Sequence, residues 1–331
     1  MKKPVIAFVT GGYSSESVIS YQSAITIEKN IDRDLFEVYR IDITPERWFH
    51  SLSEGVEVDV DKNDFSVVLN GAKVLFDAVL IGIHGTPGED GKLQGYFDLL
   101  GLPYSSCDAA TSAITFNKRY TCAIAGASGF NVSKSVLLFK DMVNAKPYDF
   151  SEMNFPLFVK PNNGGSSIGI SKVNQKEDLD QAIEKAFRED NQVLVEEYIK
   201  GREFTIGVFK SDGKVITLPI TEIISENDFF DFEAKYQGKS KEITPAKCDE
   251  EVSNKIKQAA AGIYSLFNCN GVVRMDFIYN ETENRPYLLE INTVPGQSAA
   301  SIIPQQVAAA GLELKNFYSM LINNALALKK R

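Results

Sequence analysis

Apolar runs that end at glycine turns mark the first strands and helices of the chain. Residues 4–10 form such a run, which ends at Gly11-Gly12, and a helix is predicted over 17–29. The run 74–83 is predicted to be a buried parallel strand that ends at His84-Gly85. Two predicted strands of this region therefore end in turns that contain glycine.

A short helix is predicted after the second of these turns. Leu93, Phe97 and Leu100 share one helical face, and Gly101 is predicted to end the helix. Repeated strand–loop–helix units predict an α/β domain with a doubly wound parallel sheet up to about residue 117. Ligands of such sheets bind at the carboxyl ends of the strands, which is where the glycine turns lie.

The middle of the chain is predicted to be a small α+β unit over about 118–200. Strands are predicted over 156–160 and 168–173, and 193–199 is predicted to form a hairpin with 203–209. A helix between them is predicted to bury one apolar face, which consists of Leu179, Ala182, Ile183, Ala186 and Phe187.

The last third of the chain is predicted to end in a hairpin. It begins with strands, a long aromatic and charged loop over 228–246 and an Ala-rich helix. Strands 272–279 and 287–292 then follow, joined by a turn that we expect to be symmetric about residue 283. Four apolar side chains are predicted on the core side of this hairpin: Met275, Phe277, Leu289 and Ile291.

The same register predicts a polar cluster on the other face of the hairpin. Asp276 lies opposite Glu290, and Arg274 lies opposite Asn292. Two opposed carboxylates beside an amide oxygen are hard ligands, which suit Mg²⁺ that holds nucleotide phosphates. The alternative is a solvated face on which Arg274 neutralises both carboxylates.

A glycine-rich loop, Gly164-Gly165-Ser166-Ser167, offers backbone N–H groups and hydroxyls that suit a phosphate. It is not a Walker A loop, because the chain has no GxxxxGK[ST] motif, and no GxGxxG follows a strand. Lys160, which precedes the loop at the end of an apolar strand, favours an anion site, and Lys118 is a second isolated lysine beside an apolar helix. The alternatives are a plain hairpin turn and two surface charges.

The segment Glu196-Glu197-Tyr198-Ile199 has side chains in alternating directions, so a polar group and an apolar surface can flank a planar base. Core packing of Tyr198 and Ile199 is the alternative.

Composition narrows the functional classes. The 331-residue chain has 35 Lys and Arg against 44 Asp and Glu, a net charge of −9, which argues against a nucleic-acid-binding protein. No apolar run approaches the roughly 18 residues of a membrane span, and the N-terminal run is too short for a signal peptide. Four cysteines without a CxxC motif predict reduced thiols in a cytosolic protein, and two histidines exclude a His-rich zinc site.

Taken in order, the motifs resemble those of the D-alanine–D-alanine ligase family of the ATP-grasp superfamily, over nearly the whole chain. The Glu16 motif and the His84-to-Gln94 motif are specific to this family, whereas the glycine loop is shared across the superfamily. The motifs that carry the resemblance are Gly11-Gly12-x-Ser14-x-Glu16, His84-Gly85, Gly88-Glu89-Asp90-Gly91-x-Leu93-Gln94-Gly95, Gly101-Leu102-Pro103-Tyr104, Lys160-Pro161, Gly165-Ser166-Ser167-x-Gly169, Glu233-Ala234-Lys235-Tyr236, Arg274-x-Asp276 and Leu289-Glu290-x-Asn292-Thr293-x-Pro295-Gly296.

The resemblance implies an N-terminal doubly wound parallel sheet followed by a two-part ATP-grasp fold of α+β units. Its three domains would be 1–117, 118–200 and 201–331, with ATP between the second and the third. The implied nucleotide-binding residues are Lys118, Lys160, Ser167 and Lys235, then Glu196, Glu197, Tyr198 and Ile199 for adenine, and Glu203 for ribose. The implied ligands of two Mg²⁺ ions, or of Mn²⁺, are Asp276, Glu290 and Asn292.

The resemblance also implies sites for two D-alanine molecules. Glu16 would bind the ammonium group of the first, and His84 would lie near its carboxylate. Arg274 and the Gly296 N–H would form an oxyanion site, and Ser301 with Ile302 would contact the second substrate. Ser166 and Tyr236 would link two closing loops, 162–169 and 228–246, to Glu16.

The implied reaction is ATP-dependent. The carboxylate of the first D-alanine attacks the γ-phosphate, and the amine of the second attacks the resulting acyl phosphate. The resemblance further implies peptidoglycan precursor synthesis, a cytoplasmic location and a homodimer, with no nucleic acid or membrane partner. Three alternatives stay open: a ligase that accepts D-lactate or another D-amino acid, an oxidoreductase on a dinucleotide-binding fold, and a regulatory nucleotide-binding protein. The lack of GxGxxG counts against the second, and the complete polar hairpin face counts against the third.

Overall fold

A computed structural model describes residues 2–52, 55–142, 148–164, 169–225 and 240–328 of the chain. These residues form a mixed α/β structure with three larger sheets and one two-stranded ribbon, so the predicted α/β class is confirmed. The helices are α1 (Ser17–Asn30), α2 (Lys92–Leu100), α3 (Ala109–Phe116), α4 (Lys118–Ala127), α5 (Leu179–Ala186), α6 (Glu250–Leu266), α7 (Ile302–Ala309) and α8 (Leu314–Ala327). No helix in this part of the chain is long and apolar enough to cross a membrane.

The first sheet is parallel at its centre and antiparallel at one edge. The strands in this region are β1 (Val5–Gly11), β2 (Glu37–Ile43), β3 (Trp48–Ser51), β4 (Glu57–Asp59) and β7 (Ala78–Ile81), with β5 (Val67–Leu69) and β6 (Ala72–Val74) forming the separate ribbon. The strands of the first sheet lie in the order β4-β3-β2-β1-β7, and β1 is parallel to both β2 and β7.

Both faces of the first sheet are covered, because alternate residues of β1 enter different cores. Ile6 and Phe8 pack with α1 and α8, whereas Ala7 and Val9 pack with α2 and the ribbon. The buried parallel strand predicted over 74–83 is confirmed as β7, but it is shorter than predicted. It covers only Ala78–Ile81, because Val74 belongs to β6 in the separate ribbon and an apolar run does not reveal where the chain leaves one sheet for another.

The second sheet is antiparallel and has its own core. Its strands are β8 (Ser135–Phe139), β9 (Leu157–Pro161), β10 (Ser171–Val173) and β11 (Gln192–Glu197), in the order β10-β9-β11-β8. Helix α5 covers one face and buries the five apolar side chains predicted for it. Two short 3₁₀ helices, Lys140–Met142 and Lys176–Asp178, complete this unit.

The strands of the third sheet are β12 (Arg202–Ser211), β13 (Lys214–Thr217), β14 (Thr221–Ser225), β15 (Ser240–Ile243), β16 (Val273–Asn280) and β17 (Arg285–Asn292). They lie in the order β15-β14-β12-β16-β17, with β13 paired to β12. Helices α3, α4 and α6 and the buried face of this sheet share one core.

Two predictions for this region are wrong. Segments 193–199 and 203–209 do not form a hairpin, because β11 pairs with β8 and β9 in the second sheet while β12 pairs with strands of the third. The short turn between them joins two sheets. The predicted loop 228–246 also contains a strand, β15, which pairs with β14.

Candidate active site

A cavity of about 480 Å³ lies where the carboxyl ends of β1 and β7 meet the polar face of the third sheet. Its lining combines residues that the sequence predicted for different tasks. They include Glu16, His84, Lys118, Gly164, Glu203, Arg274, Asp276, Glu290, Asn292, Gly296, Ser301 and Ile302.

The β16–β17 hairpin has the predicted register in its polar half. Asp276 pairs with Glu290 and Arg274 pairs with Asn292, so these side chains share one face, and this prediction is confirmed. The prediction that Leu289 is a core residue is wrong.

A β-bulge explains this error. The register shifts by one residue after Asp276, so Phe277 pairs with Leu288. Leu288 is therefore the buried leucine, and Leu289 is only half-buried.

Arg274 binds Asp276 side-on within the cavity. Its Nε lies 3.0 Å from Oδ1 and its Nη2 lies 2.9 Å from Oδ2 of that carboxylate. Thr205 donates a further hydrogen bond of 2.5 Å to Asp276, and Glu290 lies 3.9 Å from Arg274 Nη2. Burial opposes the charge of Arg274, but the two carboxylates outweigh it and raise the pKa of the guanidinium above its ordinary value.

The donor set of this face suits a hard divalent cation. Asp276 and Glu290 supply carboxylate oxygens, and Asn292 Oδ1 accepts one N–H, from Val294 at 3.0 Å, which leaves it a second lone pair. Among the described residues there is no group of three or more His, Cys, Asp and Glu side chains that could hold a metal. An ion held here would therefore need other oxygens, such as those of a phosphate.

Two buried lysines lie near this face. Lys118 Nζ donates to the Gly164 carbonyl oxygen at 2.7 Å and lies 3.7 Å from Glu290 Oε2. Lys160 Nζ lies 2.6 Å from Glu196 Oε2, and both side chains are about nine-tenths buried. Burial opposes the charge of Lys160, but Glu196 raises its pKa above the ordinary value, so Lys160 is a cation.

The segment predicted for adenine lies outside the lining of this cavity. Glu197 turns away from Glu196 and accepts hydrogen bonds from Asn154, from its backbone N–H at 2.8 Å and its side chain at 3.2 Å. Tyr198 stacks on Phe158 with ring centroids 5.8 Å apart, and Ile199 is half-buried.

Glu16 lies against the backbone of Gly85 at the N-terminal side of the cavity. Gly85 has φ +67°, and a Cβ there would lie 2.6 Å from Glu16 Oε2 and 2.6 Å from Ser14 Oγ. Only glycine allows this approach. The glycine at position 85 is therefore explained by the positions of the Glu16 carboxylate and the Ser14 hydroxyl.

A second carboxyl group, Glu89, was not predicted as a site residue. It accepts a hydrogen bond of 2.5 Å from the Gly85 N–H, and so closes the turn that follows β7. Burial, and next the charge of Glu16, raise the pKa of Glu89 to about 8. Its place in the Gly88-to-Gly91 motif is the signal that could have found it.

His84 is buried beside the cavity and held by helix α1. Ser20 Oγ accepts its backbone N–H at 2.9 Å, and Ser23 Oγ lies 3.1 Å from its Nε2. Burial, and next the charge of Arg274, lower the pKa of His84 to about 4, so the imidazole is neutral. The spacing of Glu16, Ser20 and Ser23, at i, i+4 and i+7, is a signal that could have found both serines.

The far side of the cavity is formed by the turn before α7. Ser301 Oγ lies 2.8 Å from Ser298 Oγ, and a Cβ on Gly296 would lie 2.9 Å from Ser301 Oγ. Glu242, on β15, also lines the cavity and accepts a hydrogen bond of 2.7 Å from Gln305. Four predicted site residues lie outside the described residues: Ser166, Ser167, Lys235 and Tyr236.

Comparison with known proteins gives two family matches. Residues 5–107 match the D-ala D-ala ligase N-terminus, and residues 126–323 match the D-ala D-ala ligase C-terminus. The chain is 46% identical to a D-alanine–D-alanine ligase of Phocaeicola vulgatus over 97% of this chain and 99% of the relative. It is 45% identical to a D-alanine–D-alanine ligase of Flavobacterium johnsoniae, again over 97% and 99%.

Solved structures agree over the same length. The VanG D-Ala:D-Ser ligase from Enterococcus faecalis superposes with a TM-score of 0.89 at 32% identity, over 98% of this chain and 100% of that one. A D-alanine–D-alanine ligase from Bacillus anthracis complexed with ATP gives a TM-score of 0.77 at 28% identity, over 98% of each chain. From its sequence, its fold and the residues that line its cavity, this chain belongs to the D-alanine–D-alanine ligase family.

Proposed function

We propose that this chain uses ATP to join two D-alanine molecules into D-alanyl-D-alanine. The observation that carries the proposal is one cavity that brings Glu16 and His84 together with the polar hairpin face of Arg274, Asp276 and Glu290. An amino acid bound at the first pair would lie beside groups suited to phosphates. This arrangement suits the reaction for which its relatives are named. Those relatives, called D-alanine–D-alanine ligases, match this chain over nearly their whole length.

The first step is the activation of the donor D-alanine. Glu16 binds its ammonium group and His84 hydrogen-bonds its carboxylate, which attacks the γ-phosphate to give an acyl phosphate and ADP. Lys118 and Lys160 bind the phosphates of ATP, because phosphoryl transfer depends on positioning and on cations rather than on a covalent nucleophile. Mg²⁺, for which Mn²⁺ can substitute, would be held by Asp276, Glu290 and Asn292 and would neutralise charge on the phosphates.

The second step is attack by the amine of the acceptor D-alanine on the acyl phosphate. Arg274 and the Gly296 N–H donate to the oxygen that becomes negatively charged, and phosphate then leaves. Ser301 and Ile302, at the start of α7, bind the acceptor. We retain from the sequence Ser166 and Tyr236 as residues that close the site over Glu16, with Ser167, Lys235, the 196–199 segment and Glu203 as nucleotide-binding residues.

We further propose three domains, 1–117, 118–200 and 201–331, because each of the three larger sheets takes all its strands from one of these segments. Helices α3 and α4, on either side of the first boundary, both pack against β17. A homodimer, a cytoplasmic location and a role in peptidoglycan precursor synthesis complete the proposal.

The identity of the acceptor is a separate part of the proposal. A structural relative is named a D-Ala:D-Ser ligase, so D-serine is one competing acceptor. D-lactate, left open by the sequence, is the other. We favour D-alanine because the relatives named D-alanine–D-alanine ligases are 46% and 45% identical, against 32% for the D-Ala:D-Ser ligase.

The test measures ADP, phosphate and the ligated product with D-alanine alone and with D-alanine plus D-serine, D-lactate or L-alanine. We expect D-alanine alone to give ADP and dipeptide in equal amounts. If a mixed product forms in larger amount than D-alanyl-D-alanine, the preferred acceptor is not D-alanine. Phosphate release that no amino acid stimulates would refute the ligase.

A further inference from the structure

The Ser23 hydroxyl lies between two parts of the site. Ser23 is fully buried on α1, and its Oγ lies 3.1 Å from His84 Nε2 and 3.1 Å from the backbone nitrogen of Gln297. His84 follows β7, whereas Gln297 follows Gly296 in the turn before α7. One hydroxyl therefore contacts both the predicted donor-carboxylate site and the predicted oxyanion site.

The hydrogen atoms of this contact can be assigned. A backbone N–H can only donate, so Ser23 Oγ accepts from Gln297. The hydroxyl has one proton of its own, and in the described part of the chain its only other hydrogen-bond partner is His84 Nε2. Ser23 therefore donates to Nε2, which must carry no proton to accept it.

The proton of the neutral imidazole then lies on Nδ1. Among the described residues, no hydrogen bond joins Nδ1 to a protein atom. Two side-chain atoms of these residues are fully buried and have no hydrogen-bond partner, Arg40 Nε and Gln94 Oε1, and Nδ1 is not among them. Since His84 lines the cavity, Nδ1 is accessible from the cavity. The lowered pKa of His84 supports the neutral form that this assignment requires.

We infer that Ser23 is a positioning residue that fixes His84 as its Nδ1–H tautomer and holds it against the turn that carries Gly296. The ring then presents a neutral N–H donor to the cavity. Its use in binding the donor carboxylate rests on the proposed function, but the tautomer does not.

The alternative tautomer would have a different consequence. With the proton on Nε2, the ring would donate to Ser23 and would present a bare Nδ1 to the cavity. A bare nitrogen repels a carboxylate, whereas an N–H group binds it. Loss of the Ser23 hydroxyl is therefore expected to weaken donor binding even if the ring does not move.

The decisive experiment is NMR of the uniformly ¹⁵N-labelled free protein, with long-range correlations from the ring protons to both ring nitrogens. The chain has two histidines, so the spectrum is simple, and His50→Gln assigns the His84 signals by elimination. We expect a protonated Nδ1 and a bare Nε2 for His84 in the wild type. Ser23→Ala should move protonation toward Nε2.

Ser20→Ala is the matched control. Ser20 is buried one turn earlier on α1 and accepts the His84 backbone N–H, but no hydrogen bond joins its hydroxyl to the imidazole. Its loss should leave the tautomer unchanged. A wild-type His84 with the proton on Nε2, or a Ser23→Ala spectrum equal to wild type, would overturn the assignment. If Ser23→Ala does not fold, the wild-type spectrum still decides.

Kinetics test the functional part separately. Ser23→Ala should raise the half-saturation constant for the donor D-alanine about three- to tenfold, the range of one hydrogen bond, with a smaller change for the acceptor. Ser23→Thr, which keeps the hydroxyl, should restore it. An unchanged donor constant together with the altered tautomer would refute the role in donor binding. A protein without ligase activity would refute the proposed function and leave the NMR result standing.

Discussion

Arg274 and Asp276 are two residues apart on one strand and form a bidentate pair, with Nε–Oδ1 and Nη2–Oδ2 distances of 3.0 and 2.9 Å. Because residues i and i+2 point to the same face, the strand itself brings the predicted oxyanion donor beside a predicted metal ligand. The two roles are therefore coupled. A change in either residue also alters the charge around the other.

Glu290→Gln should lower turnover on the order of 10²-fold or more and leave the fold intact. The side chain is 30% exposed and faces the cavity, so the amide fits, but it removes a negative charge from the proposed Mg²⁺ site. The rate measured across a Mg²⁺ titration checks this. Glu281→Gln, in the exposed turn of the same hairpin, is the control, and wild-type rates at limiting Mg²⁺ in the Glu290 variant would contradict the metal assignment.

Arg274→Ala should lower kcat by about 10²–10³-fold with little change in nucleotide affinity. A lost oxyanion donor has an effect of this size, because the charge it stabilises develops only during the reaction. Nucleotide binding by calorimetry, beside steady-state rates, separates the two effects. Arg285→Ala, outside the cavity, is the control. A collapse of nucleotide affinity would make Arg274 a phosphate ligand instead.

Glu196→Gln should lower the free energy of unfolding of the second sheet by about 3–5 kcal/mol, because it leaves the buried Lys160 ammonium without its partner. The double variant Lys160→Met with Glu196→Gln should recover a large part of this loss. Thermal unfolding of the single and double variants measures the difference. If the double variant loses as much stability as the two single variants together, the two side chains do not stabilise each other.

The stability of the protein should fall as pH rises toward 8 because of Glu89. Its carboxyl is protonated in the fold up to a pKa of about 8, whereas in the unfolded chain it ionises near its ordinary value of 4.5. The stabilisation present below pH 4.5 is therefore lost at roughly 1.4 kcal/mol per pH unit until the pH passes about 8. Glu89→Gln cannot ionise and should escape this loss.

The measurement is the melting temperature of Glu89→Gln relative to wild type as a function of pH. The difference should shift in favour of the variant from about pH 5 to about pH 8 and then become constant. Glu152→Gln, at an 87% exposed side chain, should show a much smaller dependence. A pH-independent difference for Glu89→Gln would mean that Glu89 is ionised in the fold.

The sequence was sufficient for the polar half of the hairpin. A period of two and one turn fix which side chains face each other, so Asp276 and Glu290 could be paired without a structure. The bulge after Asp276 could not be predicted from the sequence. Its effect is that Leu288 faces the core in place of Leu289, and the two leucines are equally apolar. Local pattern thus determined the register only up to the bulge.

Longer-range relations were beyond the sequence. Strands β11 and β12 follow each other closely and were predicted to pair, yet each has its partners in a different sheet. Glu89 and Ser23 are polar residues whose importance depends on their burial and, for Ser23, on a hydrogen bond from the distant residue Gln297. A charge or hydroxyl in a sequence does not reveal whether it will be buried.

The core under the first sheet bears on how the molecule can admit its substrates. Ile6 and Phe8 of β1 share this core with Phe317 of α8 and with Phe209 of the third sheet. A hinge motion that separates the first and third sheets would expose those side chains to water. The core of the second sheet, by contrast, consists only of side chains from residues 136–195. The molecule is thus divided into a frame, which carries the proposed donor-binding and metal-binding residues, and a smaller unit, the second sheet, whose tilting would leave the interior of the frame buried.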